Sequence, residues 1–364
     1  RRADVRRAGH PAPRIGRLVN APLRVAVTPG PFTPGVSASW RSMTLADPTA
    51  DGVVLGEVTP VADADVALFP YEIASVVRTP ADLDALRSVV SANARAGLRT
   101  VVCLDHDHCR PVSVGQPDAI VLRTSMIASM DYVGEHAMPP RVEDPWAGGP
   151  AQTRPWNPVP RVGFMGRVDA AQTRLLAAYD PAEPAPAGFS RSEGAPEEMF
   201  PLPVDLGGLL RRRAIAGLSA STRVESSIVV RDRFFGHYDA ADRRAMRSEY
   251  GAHLADSDYV LCVRGYGNYS IRLFETLAMG RVPVVLESEL VLPCADVVDW
   301  DAIAVRVPLA DIDRIDAAVA AAHADGPEAF EDRQRAARQA WLRWLCVDGF
   351  ARYVADVIVR ADRG

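Results

Sequence analysis

Apolar positions along the chain fall into two successive series, each alternating short unbroken runs with longer stretches at helical spacing. The first series opens with "LRVAVTPG" (23–30), which reads as a strand closing in a Pro/Gly loop. It continues with "DVALFPYE" (65–72), "RTVVCLDH" (99–106) and "AIVLRTS" (119–125). A helix is expected over 81–96, with Thr79 as N-cap and Pro80 at the first helical position. Strand, helix, strand at this spacing indicates βαβ units and a parallel sheet.

The periodicity stops at "PPRVEDPWAGGPAQTRPWNPVP" (139–160), which carries seven prolines and suits a domain boundary. A second series then begins. Its expected strands are "RVGFMG" (161–166), "SSIVV" (226–230), "DYVLCV" (258–263), "VPVVL" (282–286) and "AIAVRV" (302–307). Helices are expected around 206–218, 240–254 and 270–280, with a Pro/Ala-rich insertion near 181–203. The C-terminal stretch is helical, with Trp341, Leu342, Leu345 and Phe350 as buried positions. The predicted organisation is a tail (1–22), an N-terminal Rossmann-like domain (23–150), a C-terminal Rossmann-like domain (151–342) and a closing helix (343–364) packing back on the joint. The fold class is α/β, two doubly wound domains with a cleft between them.

Composition narrows the function. With 48% hydrophobic and 24% charged residues the 364-residue chain is an ordinary soluble globular one. All 41 basic residues are arginine, and the net charge of -5 leaves no general basic field to hold a nucleic acid. The densest basic run, Arg211 to Arg213, reads as a solvated helix face. Five cysteines, an odd number, fit reduced thiols in a cytoplasm better than a disulfide framework. No apolar run approaches the roughly 18 residues of a membrane span, and no leader pattern is visible.

The most informative stretch is "DYVLCVRGYGNYSIRLFETLAMGRVPVVLESELVLPCADVVDW" (258–300). A buried strand runs into the loop Arg264, Gly265, Tyr266, Gly267, Asn268, Tyr269. A helix follows, with Ser270 as N-cap, Ile271, Phe274, Leu277 and Ala278 on its apolar face, and Gly280 just past its end. Ligands of open α/β sheets bind at the carboxyl ends of strands, where exposed amides and the helix dipole favour an anion. Arg264 leaves the strand at that edge with a permanent charge and a fork suited to phosphate. Glu275, about a turn and a half into the helix, is within reach of a ribose. These features describe a nucleoside-diphosphate site. Blander readings stand beside them: Glu275 as a solvated carboxylate, Arg272 as its i, i+3 ion-pair partner, Ser270 as a cap alone, and Tyr266 and Tyr269 as loop closures instead of base-stacking rings.

The same stretch resembles the signature of the exostosin family of glycosyltransferases through Arg264, Gly265, Ser270, Arg272, Glu275, Pro283, Leu292, Pro293, Asp299 and Trp300. The close match covers about 45 residues, and a looser order of elements spans most of 60–320. The resemblance implies a GT-B fold and transfer of a sugar from a nucleotide sugar, a UDP-sugar foremost, to a hydroxyl of a glycan or small molecule. It further implies inversion and no essential metal or cofactor. It makes Arg167, after "GFMG", a second phosphate ligand beside Arg264. The expected enzyme is a cytoplasmic, bacterial-type glycosyltransferase. The competing reading is a non-catalytic nucleotide-sugar or glycan-binding module of the same fold. A Rossmann dehydrogenase is disfavoured because "TPGPFTPG" lacks the Gly-x-Gly-x-x-Gly spacing.

A second stretch, "CLDHDHC" (103–109), invites a metal. In an extended strand Asp105 and Asp107 face one way, His106 and His108 the other, so at most two of the four reach one ion. A tetrahedral zinc site needs four ligands, and no metal site is assigned. The segment ends a strand at the cleft edge, so Asp105 or Asp107 is a candidate general base, with His106 orienting the acceptor or sugar. His136, after the fourth strand, is another candidate at that edge. A loop-stiffening Asp–His contact is the alternative.

Overall fold

A computed structural model describes residues 23–32, 56–117, 119–168, 206–231 and 239–359. The tail at 1–22 and the Pro/Ala-rich stretch near 181–203 lie outside them.

Two parallel sheets form the framework. The first has six strands, β1 (Arg24–Val27), β2 (Glu57–Val58), β3 (Val66–Glu72), β4 (Thr100–Leu104), β5 (Ile120–Arg123) and β6 (Glu135–Ala137), in the order β2-β1-β3-β4-β5-β6. The second has β7 (Arg161–Arg167), β8 (Glu225–Arg231), β9 (Tyr259–Cys262), β10 (Val282–Glu287) and β11 (Val305–Pro308), in the order β11-β10-β9-β7-β8. Every pairing within the two sheets is parallel. A parallel sheet is covered on both faces, which explains why β4 and β9 are buried at every position and read as unbroken apolar runs.

Helices pack on these faces. In α1 (Pro80–Arg95), Thr79 accepts from the Asp82 amide while Asp82 accepts from the Thr79 amide, a reciprocal capping box behind Pro80. The second domain contributes α2 (Leu206–Ser219), α3 (Ala240–Ala255) and α4 (Ile271–Met279). Gly280 ends α4 in the left-handed region at φ 69°, where a side chain would be strained. The proline-rich stretch is bonded down: Arg338 donates to the Gly149 carbonyl and Arg281 to that of Gln152. The C-terminal helical residues Phe350, Val354 and Ile358 share one core cluster with Val25, Val66 and Val101 of the first sheet. Trp341, Leu345 and Phe350 are buried, with Leu342 packed at the margin.

Three details differ from expectation. The third strand stops at Leu104, so Asp105 to Cys109 lie beyond it and strand alternation does not govern their side chains. The last strand begins at Val305 because Asp299 accepts from the Ala302 amide and starts a helical turn at Trp300–Ile303. Ile271 leaves the apolar face of α4: it is 47% exposed, and Leu273 takes a buried place beside Phe274, Leu277 and Ala278.

Candidate active site

The carboxyl ends of β7 and β9, neighbours in the sheet although β8 separates them in sequence, open on a cavity of about 530 Å³. This is the switch point of the second sheet, where the strand order reverses and ligands of open α/β folds bind. The volume lies within the roughly 300–1,000 Å³ usual for small-ligand sites. Gly166 and Arg167 form one wall, at the end of β7. Gly265, Tyr266, Tyr269, Ser270, Ile271, Arg272 and Glu275 form another, and Gly208 and Arg211 of α2, Arg231, and Met246, Arg247 and Tyr250 of α3 complete it. Among the described residues of the first domain, only Asp107 lines the cavity.

The loop after β9 brings the start of α4 to this wall. Gly265 N–H donates to the Tyr269 carbonyl at 3.0 Å, closing the loop on itself. Ser270 occupies the N-cap, yet its side chain makes no capping bond, so the first turn of α4 keeps an uncapped, partly positive end beside the cavity. Arg264 is buried within the loop, where it donates to the Tyr266 carbonyl at 2.8 Å, and it does not line the cavity. Asn268 is also off the cavity, fully buried against the first domain.

Five arginines line the wall, with two carboxylates, Asp107 and Glu275. Arg231 pairs with Glu249, and Arg247 with Glu143 at 3.0 Å. Arg272 lies 4.4 Å over the Phe164 ring and donates to the Met165 carbonyl at 2.7 Å. It fits there because Gly166 has no Cβ: one would stand 2.5 Å from the guanidinium. The alternative reading of Arg272 as the i, i+3 ion-pair partner of Glu275 does not hold, since the guanidinium is engaged at Met165 and Phe164 instead. Arg211, assigned by sequence to a solvated face, instead turns inward and donates to the Arg167 carbonyl at 3.1 Å. The run splits by direction, since Arg213 pairs with Asp313 outside.

Glu275 accepts from the Tyr250 hydroxyl at 2.5 Å. Burial pushes its pKa up, while the Tyr250 bond and the Arg272 charge pull the other way. Tyr250, Arg211, Arg231, Met246 and Arg247 belong to the wall and were not anticipated. No local motif marks them, because their place follows from how α2, α3 and β8 pack on α4 and β7.

The "CLDHDHC" side chains fan out. Asp107 Oδ1 accepts from Gly267 N–H of the second domain at 3.0 Å, and its carboxylate shares a hydrogen bond with the Tyr269 hydroxyl. Asp105 lies behind, bonded to Thr124; burial first, and then the Asp107 charge, raise its pKa to about 6 against the opposing Thr124 bond. His106 Nδ1 accepts from the His108 amide at 3.2 Å, and burial beside Arg123 lowers its pKa to about 4. His108 is buried against Arg123 and lowered to about 3, by burial first, so both imidazoles are neutral at pH 7. Cys109 Sγ lies 2.9 Å from Ser125 Oγ. Among the described residues no three His, Cys, Asp or Glu side chains gather as metal ligands do. His136 sits in β6, paired with Leu122, and does not line the cavity. The structure thus brings Asp107 to the cavity wall beside Gly265 to Glu275 and leaves Asp105 behind it, with His106 and His136 off the wall.

Comparison with known proteins bears on this site. Residues 218–321 match the family model of the Exostosin GT47 domain. A probable glucuronosyltransferase of Oryza sativa subsp. japonica is 37% identical over 67 residues, 18% of this chain and 15% of that protein. A probable beta-1,4-xylosyltransferase of Arabidopsis thaliana is 36% identical over 58 residues, 16% of this chain and 14% of its own length. The exostosin-1 homolog of Caenorhabditis elegans is 41% identical over 61 residues, 17% of this chain and 16% of its own length. The matched segment therefore spans about 15% of the rice relative's length. A glycosyltransferase structure from Rickettsia africae ESF-5 aligns over 87% of this chain and 83% of its own with a TM-score of 0.36 and 12% identity. No helix among the described residues is long and apolar enough to cross a membrane. The matched segment contains β9, the loop after it, α4 and β10, and so includes the contiguous part of the cavity wall from Gly265 to Glu275; over these residues the chain carries an Exostosin GT47 domain.

Proposed function

We propose that the chain transfers a sugar from a nucleoside-diphosphate sugar to a hydroxyl of a glycan or small-molecule acceptor. The observation that carries this reading is the meeting, in one cavity, of an uncapped helix start, inward-facing arginines, a carboxylate one turn into the helix, and Asp107 from the opposite domain. Arg167, Arg211 and the first turn of α4 neutralise the diphosphate, with Arg264 bracing the loop from behind. UDP-sugars, the donors that the exostosin resemblance implies, are the first to try. Glu275, oriented by Tyr250, accepts from the ribose.

Asp107 acts as the base. It takes the proton of the acceptor hydroxyl, whose oxygen forms its bond to the anomeric carbon as the carbon–oxygen bond to the diphosphate breaks on the opposite face. The nucleoside diphosphate leaves with the bonding electrons and the configuration inverts. Fixed cations aimed at the departing charge do work that a divalent ion does elsewhere, so the reading is metal-independent.

A thermal-shift panel of nucleoside diphosphates on the wild type and Glu275→Ala tests the donor site. At least one nucleotide raises the melting temperature of the wild type. Glu275→Ala binds it roughly tenfold to a hundredfold more weakly, the loss of a charged hydrogen bond of about 1.5–3 kcal/mol. If no nucleotide stabilises the wild type, the donor site is misassigned.

A further inference from the structure

The loop that carries the start of α4 is also the contact between the two domains. Asn268, at its centre, is 0% exposed. Its N–H donates to Ser125 Oγ at 2.7 Å and its Nδ2 to the Met126 carbonyl at 2.9 Å, both across the domain boundary. Its Oδ1 accepts from Ser288 Oγ of its own domain at 2.8 Å. One residue away, Gly267 N–H reaches Asp107 Oδ1. A Cβ at Gly267 would stand 2.7 Å from that oxygen and 2.8 Å from Asp107 Cα, so the approach requires glycine.

Asp107 sits on a loop past the end of β4, without a strand to fix it. A carboxylate in such a place takes its direction from its hydrogen bonds, and a bond from an amide to a charged acceptor is roughly twice as strong as a neutral one. The Gly267 amide can provide that bond only while the loop is seated on the first domain. The Asn268 side chain is turned away from the cavity wall, so it has no donor contact of its own to make. Its amide geometry also matters, because an aspartate there would set an anion against the Met126 carbonyl.

We propose that Asn268 is a positioning residue for Asp107, clamping the 264–270 loop to the first domain so that the Gly267 amide holds the carboxylate at the cavity. The inference rests on the reading of Asp107 as base. Its consequence is a split: Arg167, Arg211 and Tyr250 of the donor wall stand outside the 264–270 loop and Glu275 lies a turn into α4 beyond it, so donor binding persists without the clamp, while the base loses its aim.

The test compares wild type, Asn268→Ala and Asn268→Asp by amide hydrogen exchange and by release of nucleoside diphosphate from nucleotide sugars. Exchange in segment 105–109 of the first domain accelerates by about tenfold or more in both variants. The nucleoside diphosphate that best stabilises the wild type binds Asn268→Ala within about twofold of the wild-type affinity. The kcat for its release from the nucleotide sugar falls roughly tenfold to a hundredfold, with KM for the donor unchanged, as expected for misplaced reacting groups. Ser125→Ala removes the acceptor of the Asn268 N–H together with the contact to Cys109 Sγ; because Cys109 lies within 105–109 it is read by kcat and donor affinity, shows the same split at smaller size, and serves if the Asn268 variants do not fold. Unchanged exchange at 105–109, unchanged kcat, or donor affinity falling in step with kcat overturns the proposal. A wild type that binds no nucleoside diphosphate sinks the donor site instead, and the exchange comparison still decides whether the clamp exists.

Discussion

The two sheets share one winding pattern: in each, the second strand lies beside the first and the third to fifth follow on the other side. Their switch points are nevertheless treated in opposite ways. In the first domain β3 ends at Glu72, whose carboxylate accepts from the Ala74 amide at 3.0 Å and the Asp105 amide at 3.1 Å. The chain's own buried carboxyl group thus occupies the amides at that edge. In the second domain the equivalent edge is left to Ser270, whose side chain does not cap, and to arginines that face a cavity. Arginine use divides the same way. Arg123 is fully buried and ion-paired with Glu135, with further bonds to the His108, Arg110 and Ser125 carbonyls. Arg167 and Arg211 instead line open space. Topology provides the crevice twice, and the loops decide which copy is open to a ligand.

The sharpest way to break this division of labour is to remove Asp107, the one cavity residue among the described residues that crosses it. Asp107→Asn is expected to lower sugar transfer roughly 10²- to 10⁴-fold while nucleoside-diphosphate affinity stays near wild type, measured by steady-state kinetics beside calorimetry. Activity within a few fold of wild type would return the base to the second domain or to another residue. Next in size is the buried pair. Glu135→Ala leaves the Arg123 charge uncompensated and should cost about 3–5 kcal/mol of folding stability by urea unfolding. A loss below about 1 kcal/mol would mean that the pair is not the internal brace of the 105–112 loop. Smaller again is the contrast within the arginine run. Arg211→Ala should weaken nucleoside-diphosphate binding by roughly tenfold to a hundredfold, from a charge-assisted contact of about 1.5–3 kcal/mol. Arg213→Ala, which breaks a partly exposed pair with Asp313, should cost about 1 kcal/mol of stability or less and leave binding unchanged. Equal effects from the two would erase the inward and outward split.

Legibility in the sequence followed the same divide. The strands were readable because parallel pairing buries both faces and leaves runs such as "TVVCL" and "VPVVLE". The cavity's contiguous wall, from Gly265 to Glu275, was readable because loop, cap position and helix carboxylate sit in one stretch. Arg211 was not, since three adjacent arginines contain no phase information about which one faces the cavity. Tyr250 was hidden for a related reason: its bond to Glu275 exists only after α3 packs beside α4. The alternation Asp-His-Asp-His imitates a strand beyond Leu104, whereas Glu72 draws the Asp105 amide aside and ends the ladder there. Strands β2 and β6, at two and three residues, are too short to show a period.

The last comparison concerns Asp105, which separates the two halves by pH. Burial raises its pKa to about 6, above the roughly 3.9 of an unfolded chain, so the folded state holds this proton more tightly than the unfolded one. The resulting stabilisation is fully present below about pH 4 and is lost as pH rises through about 6. Asp105→Asn is uncharged throughout and lacks that slope. In urea unfolding at about pH 4 and pH 7, the wild type should therefore lose stability relative to Asp105→Asn on going to the higher pH, a difference of opposite sign to that of a carboxylate held by a cation. Nucleoside-diphosphate affinity should show no matching difference between the two proteins, because Asp105 stands behind the cavity and does not line it. A parallel pair of stability curves would show that Asp105 is ionised and solvated in the folded state, and the carboxylate behind the base would then have to be reassigned to Glu72.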